Sequence, residues 1–189
     1  MTIENHPLRP FLPACAHTLF LGSFPPPQAR WSMDFFYPNW INDFWRIMGL
    51  IHFADKTYFE VKGEKRFDQP RIIQFATEQG LAFYDTATQV QRLKDNASDR
   101  FLEIVQPTDI PALLHRIPHC TQLVTTGGKA SQQLQVQFSL PTAPAIGGHQ
   151  VLPLDGRTVL WWRMPSTSRA YPLALEKKAE YYRQLFNHP

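Results

Sequence analysis

Apolar positions along this chain follow two rhythms, and their alternation sets out the elements. Thr18–Phe24 is a continuous apolar run closing on Gly-Ser-Phe-Pro, the pattern of a strand buried on both faces that enters a loop. Ile41–Leu50 has helical spacing with Asn42 near its start, and residues 55–70 are mixed and charged, an excursion with little regular structure. Pro70–Gln79 reads as a helix with Pro in its first turn and Gly80 as its stop. Leu81–Tyr84 is a short apolar strand delivering Asp85 and Thr86 at its carboxyl end. A helix opens at Thr108-Asp109-Ile110-Pro111 and runs to about Arg116. Gln122–Thr125 is the next strand, Gly127-Gly128-Lys129 follows, and Ala130–Phe138 resumes helical spacing. Arg157–Met164 is the most emphatic strand, stopped by Pro165, and Leu173–Phe186 is a closing helix. Strands separated by helix-length segments predict an α/β fold, a three-layer α/β/α sandwich around a central, mainly parallel four-stranded sheet. Ligands of such sheets gather beyond the carboxyl ends of the strands, where Ser23, Asp85, Gly127 and Ser166 arrive.

Composition narrows the class without changing that picture. A chain of 189 residues fits one domain over 1–189, with 43% hydrophobic and 19% charged residues as in ordinary globular proteins. Its 17 prolines approach twice the usual share of about 5%, which predicts rigid connecting loops. No window approaches the roughly 18 apolar residues of a membrane span, and MTIENHPLRP lacks the basic and apolar regions of a signal peptide, so a cytoplasmic protein is expected. Cys15 and Cys120 are solitary, which excludes a disulfide framework, a cysteine zinc site and a four-cysteine iron–sulfur cluster. No metal or other cofactor is expected. The net charge of +3 is uneven: residues 157–189 carry six Lys and Arg against two Glu, an excess of +4 that leaves −1 for residues 1–156. Positive charge beside the last strand suits a surface that tracks phosphates, and equally an ordinary solvated helix face.

Three loops carry the candidate chemistry. Gly22–Pro26 (GSFPP) ends a strand with a residue lacking Cβ, so a ligand can approach the backbone closely, while the next amides face it. Asn42–Gly49 (NDFWRIMG) follows the aromatic FFYP, and Met164–Ser168 (MPSTS) leads to Arg169 and Tyr171. Together these segments resemble the active-site motifs of the uracil-DNA glycosylase superfamily. The first is similar to its strand ending in Gly-x-x-Pro, with Pro26 where many members have Gly. The second is similar to the Asn-x-Phe-Trp element of the mismatch-type uracil and hypoxanthine-excising branches. The third corresponds to the loop inserted at the minor groove, with Met164 where the fastest uracil enzymes have a catalytic His.

The resemblance implies a monofunctional, metal-independent DNA glycosylase that flips a deaminated base, uracil or hypoxanthine, out of DNA and hydrolyses its N-glycosidic bond. Its partner is DNA carrying a damaged or mismatched base, with no membrane and no obligate protein partner. It implies that Asn42 holds the hydrolytic water, although an Asn at a helix start also serves as a plain cap. Gly22 and Ser23 complete the catalytic loop. Phe24 is a candidate to bind the base, and one of Phe35, Phe36 and Tyr37 to stack on it, with core packing the alternative for each of these three rings. Asp85 stands where relatives place a base-reading Asn, or is itself a turn cap. Ser166, Thr167, Ser168 and Arg169 are candidates for phosphate contacts, and Arg169 or Tyr171 for filling the vacated stack. Asp34 and Asp43 are placed to assist the water. Trp45 and Ile47 are expected in the core. Without the histidine, stabilisation of the departing base falls to backbone amides, and a slower enzyme is expected.

Two rival classes remain at this level. One is a non-catalytic nucleic-acid-binding relative of the fold. The other is a serine hydrolase using Ser23, Asp85 and His149, although Gly22-Ser23-Phe24-Pro25 is not GxSxG and Pro25 and Pro26 forbid the helix that should follow the nucleophile.

Overall fold

The computed structural model describes residues 2–93, 99–154 and 156–187. Four strands lie parallel: β2 (Thr18–Gly22), β3 (Leu81–Asp85), β6 (Gln122–Thr126) and β8 (Leu160–Met164). They are the four read from the apolar runs. The sheet gains a fifth strand at one edge, β7 (His149–Val151), antiparallel to β8, and its order is β3-β2-β6-β8-β7. The chain leaves β2 for β3 on one side and returns to β6 on the other, so β2 is the switch point where a crevice opens at the carboxyl ends. Helices α1 (Phe44–Phe53), α2 (Gln69–Glu78), α3 (Ile110–Arg116), α4 (Gly128–Gln137) and α5 (Leu175–Arg183) flank the sheet. Asp68 and Asp109 cap α2 and α3 by accepting from Arg71 N and Ala112 N, with a proline in each first turn.

A second, three-stranded antiparallel sheet was not anticipated: β1 (Ile3–Asn5), β4 (Ala87–Arg92) and β5 (Leu102–Pro107), in the order β1-β4-β5. It grows directly from the end of β3 and packs Ala87, Val90 and Leu102 around Phe24. The main core lies on the central sheet, where Phe20 stacks on Phe83 and both meet Phe44 edge-on. Trp45 and Ile47 belong to it, as expected. Residues 55–68 form turns with an isolated bridge between Glu60 and Phe67, and drop Phe59 and Phe67 into that core.

Boundaries moved where polar side chains compete with the backbone. α1 begins at Phe44 rather than Ile41, because Asn42 Oδ1 accepts from Phe44 N at 2.9 Å and Asp43 takes the cap position. β8 begins at Leu160 rather than Arg157, whose guanidinium is spent on the carbonyls of Leu114, Ile117 and Cys120.

Candidate functional site

At the carboxyl end of the sheet lies a cavity of about 660 Å³. Gly22, Ser23, Phe24, Phe36, Tyr37, Asn42, Asp85, Ser166, Thr167, Ser168, Arg169 and Tyr171 all line it. Segments separated by well over a hundred residues therefore meet around one space.

Its floor is set by Gly22 and Asp85, paired in register at the ends of β2 and β3. A Cβ at Gly22 would collide with Asp85 Oδ1, so glycine is needed here to admit the protein's own carboxylate. The other carboxylate oxygen, Oδ2, lies 2.8 Å from His6 Nε2. The His6 side chain is only 2% exposed and packs against the rings of Phe24, Phe36 and Tyr84. Its Nδ1 is engaged by the backbone of Leu8. Asp85 is thus no cap. Its charge, after burial itself, raises the Tyr84 hydroxyl above the usual range.

Tyr37 rises beside this floor with φ 54°, a left-handed backbone that a bulky residue adopts at a cost of order 1 kcal/mol or more. Stacking on Phe44 at 4.0 Å and a 2.7 Å hydrogen bond between its hydroxyl and Thr126 Oγ1 hold it there. Burial pushes its pKa far up, so the hydroxyl stays neutral. Phe35 does not line the cavity and belongs to the core, as sequence left open.

Ser23 Oγ donates to Asp99 Oδ1 at 2.6 Å, which brings a second carboxylate to the rim from a short turn just before β5. Burial among the cavity residues raises the Asp99 pKa, while the Ser23 hydroxyl and Lys129 pull it down; Asp99 as a residue is exposed, so solvent tempers the shift. Arg30 and Arg169 line the same cavity. Acidic residues at the floor and rim with arginines in the walls suit a ligand whose reacting part gains positive charge and whose flanks are anionic.

The loop after β8 is fastened to the loop before α1. Asn42 and Ser168 form an antiparallel bridge, and Asp43 N donates to Thr167 O at 2.9 Å. Lys178 on α5, 1% exposed, bonds Asp43 Oδ2 at 3.0 Å and Ser168 O at 2.8 Å. Tyr182 Oη donates to Pro165 O at 2.8 Å. Beneath, Arg46 donates to the carbonyls of Trp40 and Asn42 and pairs with Glu60 at 2.7 Å.

These contacts correct several expectations. Asp43 is neutralised by Lys178 and Arg169 outside the cavity, and Asp34 does not line it, whereas Asp99 and Asp85 do. The basic C-terminal segment is divided, with Lys177 and Arg183 in solvent and its other cations engaged by the protein. Lys178 is buried, Arg157 and Arg163 serve backbone carbonyls, and Arg169, 46% exposed, spends its Nε on Asp43. His149 is exposed on the far edge strand against Trp162. No Ser23–Asp85–His149 triad therefore forms, and His6 cannot replace His149, since both its nitrogens are engaged and Ser23 is turned to Asp99. Among the described residues no cluster of three or more His, Cys, Asp or Glu is placed to hold a metal ion.

His6, Asp99, Arg46 and Lys178 were missed by sequence reasoning. A lysine and an arginine interrupting apolar helix faces was the one available signal, whereas NHPLRP and the Asp99 turn carry none.

No protein-family model and no curated sequence matches this chain. Among solved structures, it shares its fold with a candidate uracil DNA glycosylase from Methanosarcina acetivorans, determined by solution NMR. The TM-score is 0.66 at 16% identity, across 99% of this chain and 100% of the other.

Proposed function

We propose that this chain is a DNA glycosylase of the uracil-DNA glycosylase superfamily, nearest the mismatch-type and hypoxanthine-excising branches. It hydrolyses the N-glycosidic bond of a deaminated base, uracil or hypoxanthine, extruded from DNA into the cavity. The observation that carries this reading is the convergence of the GSFPP, Asn42 and MPSTS loops on one cavity at the switch point of the sheet. The full-length likeness to a candidate uracil DNA glycosylase supports it.

The chemistry fits the residues. Bond cleavage leaves positive charge on the deoxyribose and negative charge on the base. The rim carboxylate of Asp99 favours the sugar cation, and the backbone amides of Ser23 and Phe24 favour the base anion. Asn42 lines the wall with its Oδ1 on Phe44 N, which leaves its amide N–H groups to orient a water toward C1′. In this reading water is the nucleophile, and the enzyme is monofunctional and metal-independent. Arg30 and Arg169 hold flanking phosphates, and Tyr171 fills the vacated stack. The reading places the enzyme in DNA repair, in the cytoplasm.

The test is a panel of single strands and duplexes carrying uracil, hypoxanthine or xanthine, assayed for alkali-labile abasic sites. Abasic sites with uracil or hypoxanthine support the proposal, and their absence across the panel overturns it.

A further inference from the structure

We infer that His6 is a positioning residue that makes Asp85 an acceptor-only reader, so that the cavity selects a base by an N–H donor on its edge. The inference rests on the reading of the cavity as a base site and names what that site recognises.

The argument follows the protons. Asp85 Oδ2 faces His6 Nε2 at 2.8 Å, and Oδ1 lies against Gly22 without a hydrogen-bond partner among the described residues. With a neutral imidazole protonated on Nε2, that N–H donates to Oδ2 and Nδ1 accepts from Leu8 N at 3.1 Å. With an imidazolium, Nε2–H again donates to Oδ2 and Nδ1–H donates to Leu8 O at 2.9 Å. With a neutral imidazole protonated on Nδ1, a proton on Oδ2 bridges to Nε2. In each arrangement Oδ1 carries no proton.

An asparagine here would offer a donor and an acceptor, matching both halves of a lactam edge. This aspartate offers an acceptor alone, and any base carbonyl must be met elsewhere. An unprotonated ring nitrogen or carbonyl facing Oδ1 is repelled and left unpaired, a large penalty in a buried site. The donor can be the ring N–H of a lactam, as in uracil or hypoxanthine, or an exocyclic amino group, as in cytosine.

Binding to single strands with a 2′-fluoro sugar, which resists cleavage, separates these sources. The probes carry uracil, N3-methyluracil, cytosine or N4,N4-dimethylcytosine. The wild-type protein should bind the N–H member of one pair about tenfold more tightly than its methylated counterpart, the factor that one buried hydrogen bond supplies. His6→Ala should shrink that preference to about threefold or less, and His6→Gln, which can still donate to Oδ2, should restore most of it. Nitrogen-15 spectra should show the His6 Nε2 signal shifted in Asp85→Asn. Equal affinities within both pairs, a preference unchanged in folded His6→Ala, or binding to none of the probes overturns the inference. A preserved preference without base release from the natural sugars would leave this inference standing and refute the hydrolytic reading.

Discussion

Cys120 illustrates how one residue sets a condition on the whole. Its thiol is buried, donates to Gln122 O at 3.2 Å, and is pushed by burial up to about 11 from 9.0. A raised folded-state pKa contributes stability that is complete below the unfolded value and lost as pH rises through the folded one. Stability should therefore fall between about pH 9 and 11, by roughly 2–3 kcal/mol from this group at about 1.4 kcal/mol per pH unit, with buried Tyr182 adding in the same direction. Urea midpoints across that range check it, and a flat profile would contradict it. Arg169 makes the opposite case, a cation still half in solvent although Asp43 holds its Nε. If it retains a phosphate contact, Arg169→Ala weakens binding to lesion and normal duplexes alike and lowers the slope of log affinity against log salt by about 0.9. An unchanged slope would assign Arg169 wholly to Asp43.

At the scale of elements, the fastening of α5 to the two loops decides whether the cavity keeps its shape. Lys178→Met leaves buried Asp43 with Arg169 alone and frees Ser168 O, so a loss of about 3 kcal/mol is expected, roughly 6 °C or more in Tm. Thermal unfolding measures it, and an unchanged Tm would show that the pair gives no net support. Such fastenings are where the sequence is least legible. The four parallel strands were readable because β2, β3 and β6 are buried along their whole length and so read as apolar runs. The alternation in ATQVQR and LEIVQP was available for β4 and β5 and went unused, while β1 is three residues of mixed polarity. Lys178 reads as a surface lysine until a partner 135 residues away in sequence neutralises it. For the same reason charge counts along the tail carry no information on which cations turn inward.

For the whole molecule, the site was legible as loops and illegible as contacts. Ser23, Asp85 and Ser166 could be named because turn-forming residues at strand ends mark where a parallel sheet places ligands, and Asn42 because its segment resembles a known motif. His6 could not, because it reaches Asp85 only through the pairing of β1 with β4, distant in sequence. Among the wall residues Asn42 joins three features: its backbone bridges Ser168, its Oδ1 holds the start of α1, and the residue lines the cavity. The central claim, that this cavity hydrolyses the bond to an extruded base, is tested most directly by single-turnover release of free base from uracil- or hypoxanthine-containing DNA, comparing the wild type with Asn42→Ala. The account predicts release by the wild type and a loss of about a hundredfold or more in Asn42→Ala, with DNA affinity within about threefold, because misplacing the water removes transition-state stabilisation and spares phosphate contacts. Release at the wild-type rate by Asn42→Ala, or no free base from the wild type, would contradict it.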